Sequence, residues 1–172
     1  MFVTLRPKLT RQVQHGFSLL EVLVTVLVLS VGLLGMAGLI TTGMRSNNVA
    51  HFRSIATQQT LDIADRMRAN LAGVRAGDYD ALAANIPTSN DCTAVECTSS
   101  EMAAFDHFQW NTANAAFLPG GRGIVNGTLV NGFTVALMWN EKEMGTNNDP
   151  ACGGIVPTPP AATRCFLTRF SP

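Results

Sequence analysis

The sequence predicts an α+β fold, in which a long N-terminal helix packs against a small antiparallel sheet. The first half of that helix is read as membrane-spanning and the second half as amphipathic. Three observations carry the prediction. From Val22 to Met44 the chain holds only uncharged residues, between Glu21 and Arg45. From Val49 onward, apolar residues recur near helical spacing with no proline before Pro87. Further on, Phe133, Val135, Leu137 and Trp139 alternate with Thr134, Ala136, Met138 and Asn140, which is the period of a strand with one richly apolar face.

The uncharged run is long enough to cross a bilayer. As a helix it measures roughly 34 Å, against a hydrocarbon core of about 30 Å. Residues 1–16 contain Arg6, Lys8 and Arg11 and no acid, so this end should stay in the cytoplasm and everything after Arg45 should be exported. A cleaved secretory signal does not fit, because its apolar centre would be shorter and its small-residue site would follow the run. Here the best such site, Gly35-Met36-Ala37, lies inside it. Charged residues make up 14% of the chain and the formal net charge is zero, so no nucleic-acid partner is expected.

Three regions follow. Residues 1–16 read as a basic leader. Residues 17–75 read as one helix, transmembrane over about 17–44 and amphipathic over about 45–75. Residues 76–172 read as a globular domain. In the amphipathic half, Val49, Phe52, Ala56, Ile63, Met67 and Leu71 form the apolar stripe, which needs a cover. Asp62 and Arg66 are spaced for an i,i+4 pair, Asp65 and Arg68 for an i,i+3 pair. These four charges suit a solvated face or a contact with a neighbouring molecule. Gly73 and Gly77 are candidate stops.

The cover should come from the C-terminal part. A loop is expected over "GDYDALAANIPTSNDCTAVECTSS". A helix follows at "SEMAAFDHFQWNTANAAF", with Ser100 read as its N-cap. Asn126-Gly127 and Asn131-Gly132 are both hairpin-turn signals. Pro119–Gly123, "PGGRG", reads as a tight turn into the sheet; it lacks the Gly-Lys-Ser/Thr ending of a phosphate-binding loop. Residues 145–162 read as a loop, and "TRCFLTRF" as a further strand.

Four cysteines lie in the part expected to be exported: Cys92, Cys97, Cys152 and Cys165. Disulfides form in such compartments. Three pairings exist, and the nearest-neighbour pairing closes two small loops. A zinc site is disfavoured, since C-x4-C and C-x12-C lack its spacing and no histidine adjoins them. Asp106-His107 lacks a nucleophile partner or a known catalytic motif, so His107 is read as part of a helix surface. His51 reads as exposed; Trp110 and Trp139 read as core aromatics. No metal and no cofactor are expected.

A carboxylate in a membrane span is a functional hypothesis whose partner must be named. Glu21 has no cation nearby in its own span. Cutting the chain after Gly16 would create an α-amino group on Phe17, which could meet Glu21 of a neighbouring helix and fix axial register. Here "Gly16-Phe17-Ser18-Leu19-Leu20-Glu21", with a basic leader before it and an apolar run after it, resembles the class III signal of type IV pilins and pseudopilins. The resemblance implies cleavage between Gly16 and Phe17 by a prepilin peptidase, N-methylation of Phe17 by the same enzyme, and Glu21 as the registration residue. "VLSVGLLGMAGL", "ADRMRANLAG", "FDHFQW", "LPGGRG" and the Cys92/Cys97 pair are similar to the minor pilins called type IV pilus modification protein, the V-type minor pilin.

That resemblance covers most of residues 16–140, and the last thirty residues match least. It implies no enzyme. The implied role is pilus biogenesis with pilus-dependent adhesion or twitching motility. The implied partners are the inner membrane, other minor and major pilins, the prepilin peptidase and the pilus assembly machinery. Many major pilins carry a proline in the span; this chain has Gly32, Gly35 and Gly38 there, which either loosen or tighten helix packing or are ordinary membrane-helix glycines. Two rival readings are a type II secretion pseudopilin, against which the C-x4-C element and "LPGGRG" weigh, and a membrane-anchored periplasmic enzyme or binding protein with an uncut anchor.

Overall fold

The structure, a computed structural model, describes residues 16–154 and 159–172. Most of the expected leader, including Arg6, Lys8 and Arg11, lies outside the described residues. The chain divides into two compact units, 1–46 and 47–172. Helix α1 spans Leu19–Ala69. Within the first unit every described residue is solvent-exposed, and from Leu19 on all are helical. Only a helix satisfies the backbone polar groups of such a segment without help from another chain.

The second unit holds the rest of α1, then α2 (Leu71–Ala76), β1 (Ala81–Leu82), α3 (Ser99–Phe117), β2 (Arg122–Thr128), β3 (Gly132–Asn140) and β4 (Thr163–Phe170). Two short 3-10 turns, Lys142–Met144 and Pro150–Cys152, lie between β3 and β4. The four strands form one antiparallel sheet in the order β1-β2-β3-β4. From α1, Ala56, Ile63 and Met67 are fully buried against Phe133, Val135, Leu137 and Trp139 of β3, with Phe52 and Ile55 at the margin. The two sequence periods, 3.6 and 2, thus meet in one core. Burying side chains such as Ile63 and Met67 stabilises the fold by roughly 2 kcal/mol each.

Several expectations need correction. The helical run does not continue unbroken to Arg75. At Asn70 the backbone turns (φ −112°, ψ 57°), and the Asn70 side chain accepts from the Gly73 N–H to start α2. Leu71, read as part of the buried stripe, is 40% exposed as a result. Gly77 is the stop: its φ of 85° is left-handed, and its N–H closes the helix. At α3 the N-cap is Thr98, not Ser100. Thr98 and Glu101 complete a reciprocal capping box, which requires the acid three residues after the cap.

Asn126-Gly127 is not a turn. Both residues lie inside β2, opposite Thr134 and Phe133. The hairpin reverses over 129–131, just before Gly132. A Cβ at Gly127 would overlap the Gly132 backbone, so this glycine serves a close approach of two strands. The short strand β1 falls in a stretch read as loop. β3 is apolar on both faces: Ala136 and Met138 join Ile124, Cys152 and Cys165 in a second cluster on the face away from α1.

α3 packs closely on β2 at Gly123. The Trp110 ring lies where a Cβ on Gly123 would stand, and its indole N–H donates to Gln59 O at 2.8 Å. Placing even a methyl there forces backbone movement. Gly123→Ala should therefore lower the unfolding free energy by about 2 kcal/mol. Urea titration of the detergent-solubilised full chain, followed by tryptophan fluorescence, measures this; an unchanged midpoint would contradict the packing described.

Candidate assembly site

The segment that opens α1 is assembled from few parts. Gly16, Phe17 and Ser18 precede the helix. Ser18 O accepts from Glu21 N at 3.0 Å and from Val22 N at 3.2 Å, which starts the first turn. Phe17 is 83% exposed. Glu21 lies in that first turn, where the positive end of the helix macrodipole favours a carboxylate. Among the described residues, none hydrogen-bonds or pairs with the Glu21 side chain.

Other polar side chains of the span are satisfied within the helix. Thr25 donates to Val22 O, Ser30 to Val26 O, Thr41 to Ala37 O and Thr42 to Gly38 O, at 2.6–3.1 Å. Back-bonding of this kind is how hydroxyls enter an apolar environment at low cost. A shallow groove follows one face between Leu19 and Leu34, along Val22, Val26, Leu27 and Val31. The helix is long and apolar enough to cross a membrane. At Gly32, Gly35 and Gly38 an added Cβ would meet only open space. Glu21 is therefore a charge held on an apolar surface without a partner in its own described chain.

The second unit carries a different polar centre. Asp65 and Arg68 form a solvated i,i+3 pair at 2.8 Å. Arg66, read with them as exposed or intermolecular, instead reaches α3. It bonds Asp62 at 2.8 Å, Gln109 at 2.7 Å and Asp106 at 3.2 Å. The other Asp106 oxygen accepts from the Tyr79 hydroxyl at 2.5 Å. Asn70 donates to the same Tyr79 oxygen at 3.1 Å and to Ser99 O at 2.7 Å. Burial opposes the Arg66 charge, but the hydrogen bonds and charges of Asp62 and Asp106 hold its pKa above the ordinary value. Burial, then the Asp106 bond, pushes the Tyr79 pKa well above its ordinary value.

His107 is buried, not on a helix surface. Its Nε2 lies 2.8 Å from Ala83 O, and burial lowers its pKa, partly offset by that bond. Trp110 and Trp139 are core residues, and His51 is exposed. Disulfides join Cys92 to Cys97, with Cα atoms 5.5 Å apart, and Cys152 to Cys165, with Cα atoms 5.3 Å apart. Among the described residues no group of three or more His, Cys, Asp or Glu could hold a metal ion.

The Arg66–Asp106–Tyr79 centre was not legible as a unit, because Asp106 is 40 residues from Arg66. The helical spacing of Asp62 and Arg66 was visible, but not that Arg66 turns its second nitrogen towards another helix.

Two family models match the chain. One is a prokaryotic N-terminal methylation motif, over residues 11–37. The other is the type IV pilin Tt1218, over residues 38–108. The first encloses Gly16, Phe17 and Glu21; the second includes most of α1, the Cys92–Cys97 loop and the start of α3. No curated protein and no solved structure matches the chain.

Two outcomes follow from these contacts. Asp106→Asn leaves the half-buried Arg66 short of a carboxylate, and should cost about 1–2 kcal/mol, less than for a fully buried pair. In a cycle with Arg66→Met the two changes should be non-additive; additive urea midpoints would contradict the coupling. The His107 imidazole is harder to protonate in the folded than in the unfolded chain. Below its ordinary pKa of 6.5, the unfolded chain binds the extra proton, so stability falls as pH drops. Between pH 7.5 and 5.5, His107→Gln should flatten that dependence; an identical slope would count against it.

Proposed function

Taking the chain as the type IV pilin-like protein it is, we propose that it is a minor pilin of the type IV pilus. Its work is structural: it acts in pilus assembly and in pilus-dependent adhesion or twitching motility. The observation that carries this reading is Glu21, a carboxylate in the first turn of an exposed apolar helix, without a described partner and four residues from Phe17.

In this reading residues 1–16 are a leader and the apolar part of α1 inserts once through the bacterial inner membrane. Residues 76–172 form the periplasmic globular domain. A prepilin peptidase cuts between Gly16 and Phe17 and methylates the new amine. A cation at a helix N-terminus is disfavoured by the macrodipole, so that amine gains from an external carboxylate. Glu21 of a neighbouring subunit supplies it. At about 4 Å in a partly apolar setting, the attraction is several-fold stronger than in water, though desolvation offsets much of it. The pairing is directional, so it fixes how far one helix stands along the next. The apolar face along Val22, Val26 and Leu27 then packs against other pilins, while the globular domain presents the chain's own surface.

Glu21→Ala removes the register partner and leaves the apolar run intact. In the chain's own host it should keep the membrane-inserted amount unchanged and lower the amount in sheared pili by about tenfold, the effect of roughly 1.4 kcal/mol. Immunoblots of membranes and of sheared pili measure both. Equal incorporation of the variant would sink the register role.

A further inference from the structure

The two edges of the sheet are treated differently. Along β2 the outward backbone groups belong to Gly123, Val125 and Gly127, since Gly127 N donates to Asp80 O and pairing alternates along a strand. Each is engaged. The Asn111 side chain accepts from Gly123 N at 2.7 Å and donates to Gly123 O at 3.1 Å, in the manner of a neighbouring strand. Val125 faces Leu82 of β1.

On the opposite edge, the bond from Glu141 N to Ala162 O sets the phase. It directs Arg164, Phe166, Thr168 and Phe170 towards β3. Thr163, Cys165, Leu167 and Arg169 point away. Thr163 is served by the segment before it: its N–H donates to the Asn148 side chain at 3.2 Å, and its carbonyl accepts from Asp149 N at 2.9 Å. Among the described residues, none bonds the outward N–H or C=O of Cys165, Leu167 or Arg169. Proteins blunt such edges, because an open row of donors and acceptors templates another strand.

We infer that β4, from Cys165 to Arg169, is a strand-addition site for an extended segment of another protein that carries an acidic residue opposite Arg169. Three outward residues fit a partner strand of about five residues. Arg169 is exposed and has no carboxylate partner among the described residues. It stands in register with Thr134 and Asn126 across the sheet. All three line an open groove of about 710 Å³ that Val130 and Phe170 border. A carboxylate on a fifth strand would extend that polar row beside the guanidinium, so the ladder supplies affinity and the groove supplies choice of side chain. A second copy of β4 does not fit, since "TRCFLTRF" contains two arginines and no acid. This surface does not depend on processing at Gly16.

The test uses the full chain in its own host, with a photoreactive amino acid in place of Ser171 beside the groove. The expected adduct maps to an acid-containing extended segment of another protein. Arg169→Glu should reduce it by about tenfold through like-charge repulsion, and Arg169→Lys should retain it. No adduct, an adduct insensitive to Arg169→Glu, an adduct within a helix, or one to β4 of a second copy would each overturn the proposal. Amide exchange of the purified full chain in detergent gives an independent reading. Leu167 and Arg169 should exchange at least tenfold faster than Phe166 and Thr168; equal protection would mean the edge is already covered.

Discussion

A helix that is apolar on every side cannot be satisfied by its own chain. That constraint governs the first unit, where every described side chain from Gly16 to Ser46 faces outward. The backbone is satisfied along the helix and the hydroxyls bend back to its carbonyls. The apolar surface and the Glu21 carboxylate are what remain for lipid or for another chain. Membrane anchoring and incorporation into a pilus answer that demand, in keeping with the methylation motif matched over residues 11–37.

The remainder of α1 obeys the opposite rule. From Ala56 to Met67 one face is sealed by the sheet, and the other is tied by Arg66 to α3. Asp106 is the hinge of that tie, since its two oxygens hold Arg66 and Tyr79. The Cys152–Cys165 disulfide, on the far face of the sheet, and the ion pairs of Arg164 with Glu141 and Asp149 hold the segment after β3. Both faces of β3 are buried in this way, which is why a nine-residue strand forms the centre of a sheet only four strands wide.

Much of this was legible because it is periodic. The Ala56–Ile63–Met67 stripe and the Phe133–Trp139 alternation each follow a single period, and each lies where the period puts it. Features set by contacts between distant residues were not legible. The Asn70 break depends on Tyr79 and Ser99 accepting its amide. Asn126-Gly127 carries the same dipeptide as the hairpin signal, and only the register with β3 decides that it is strand. The neighbours of His107 suggest a helix face, but the side chain is buried and its Nε2 lies against the carbonyl of Ala83, 24 residues away. At the candidate site, the residue spacing from Gly16 to Glu21 was readable at once. That Arg66 belongs to an internal centre was not.

The measurement that bears most directly on a processed, membrane-anchored pilin is the intact mass and N-terminal sequence of the protein from its own host's membranes. The account predicts a chain that begins at an N-methylated Phe17. A chain that begins at Met1, or one cut beyond the apolar run, would contradict it.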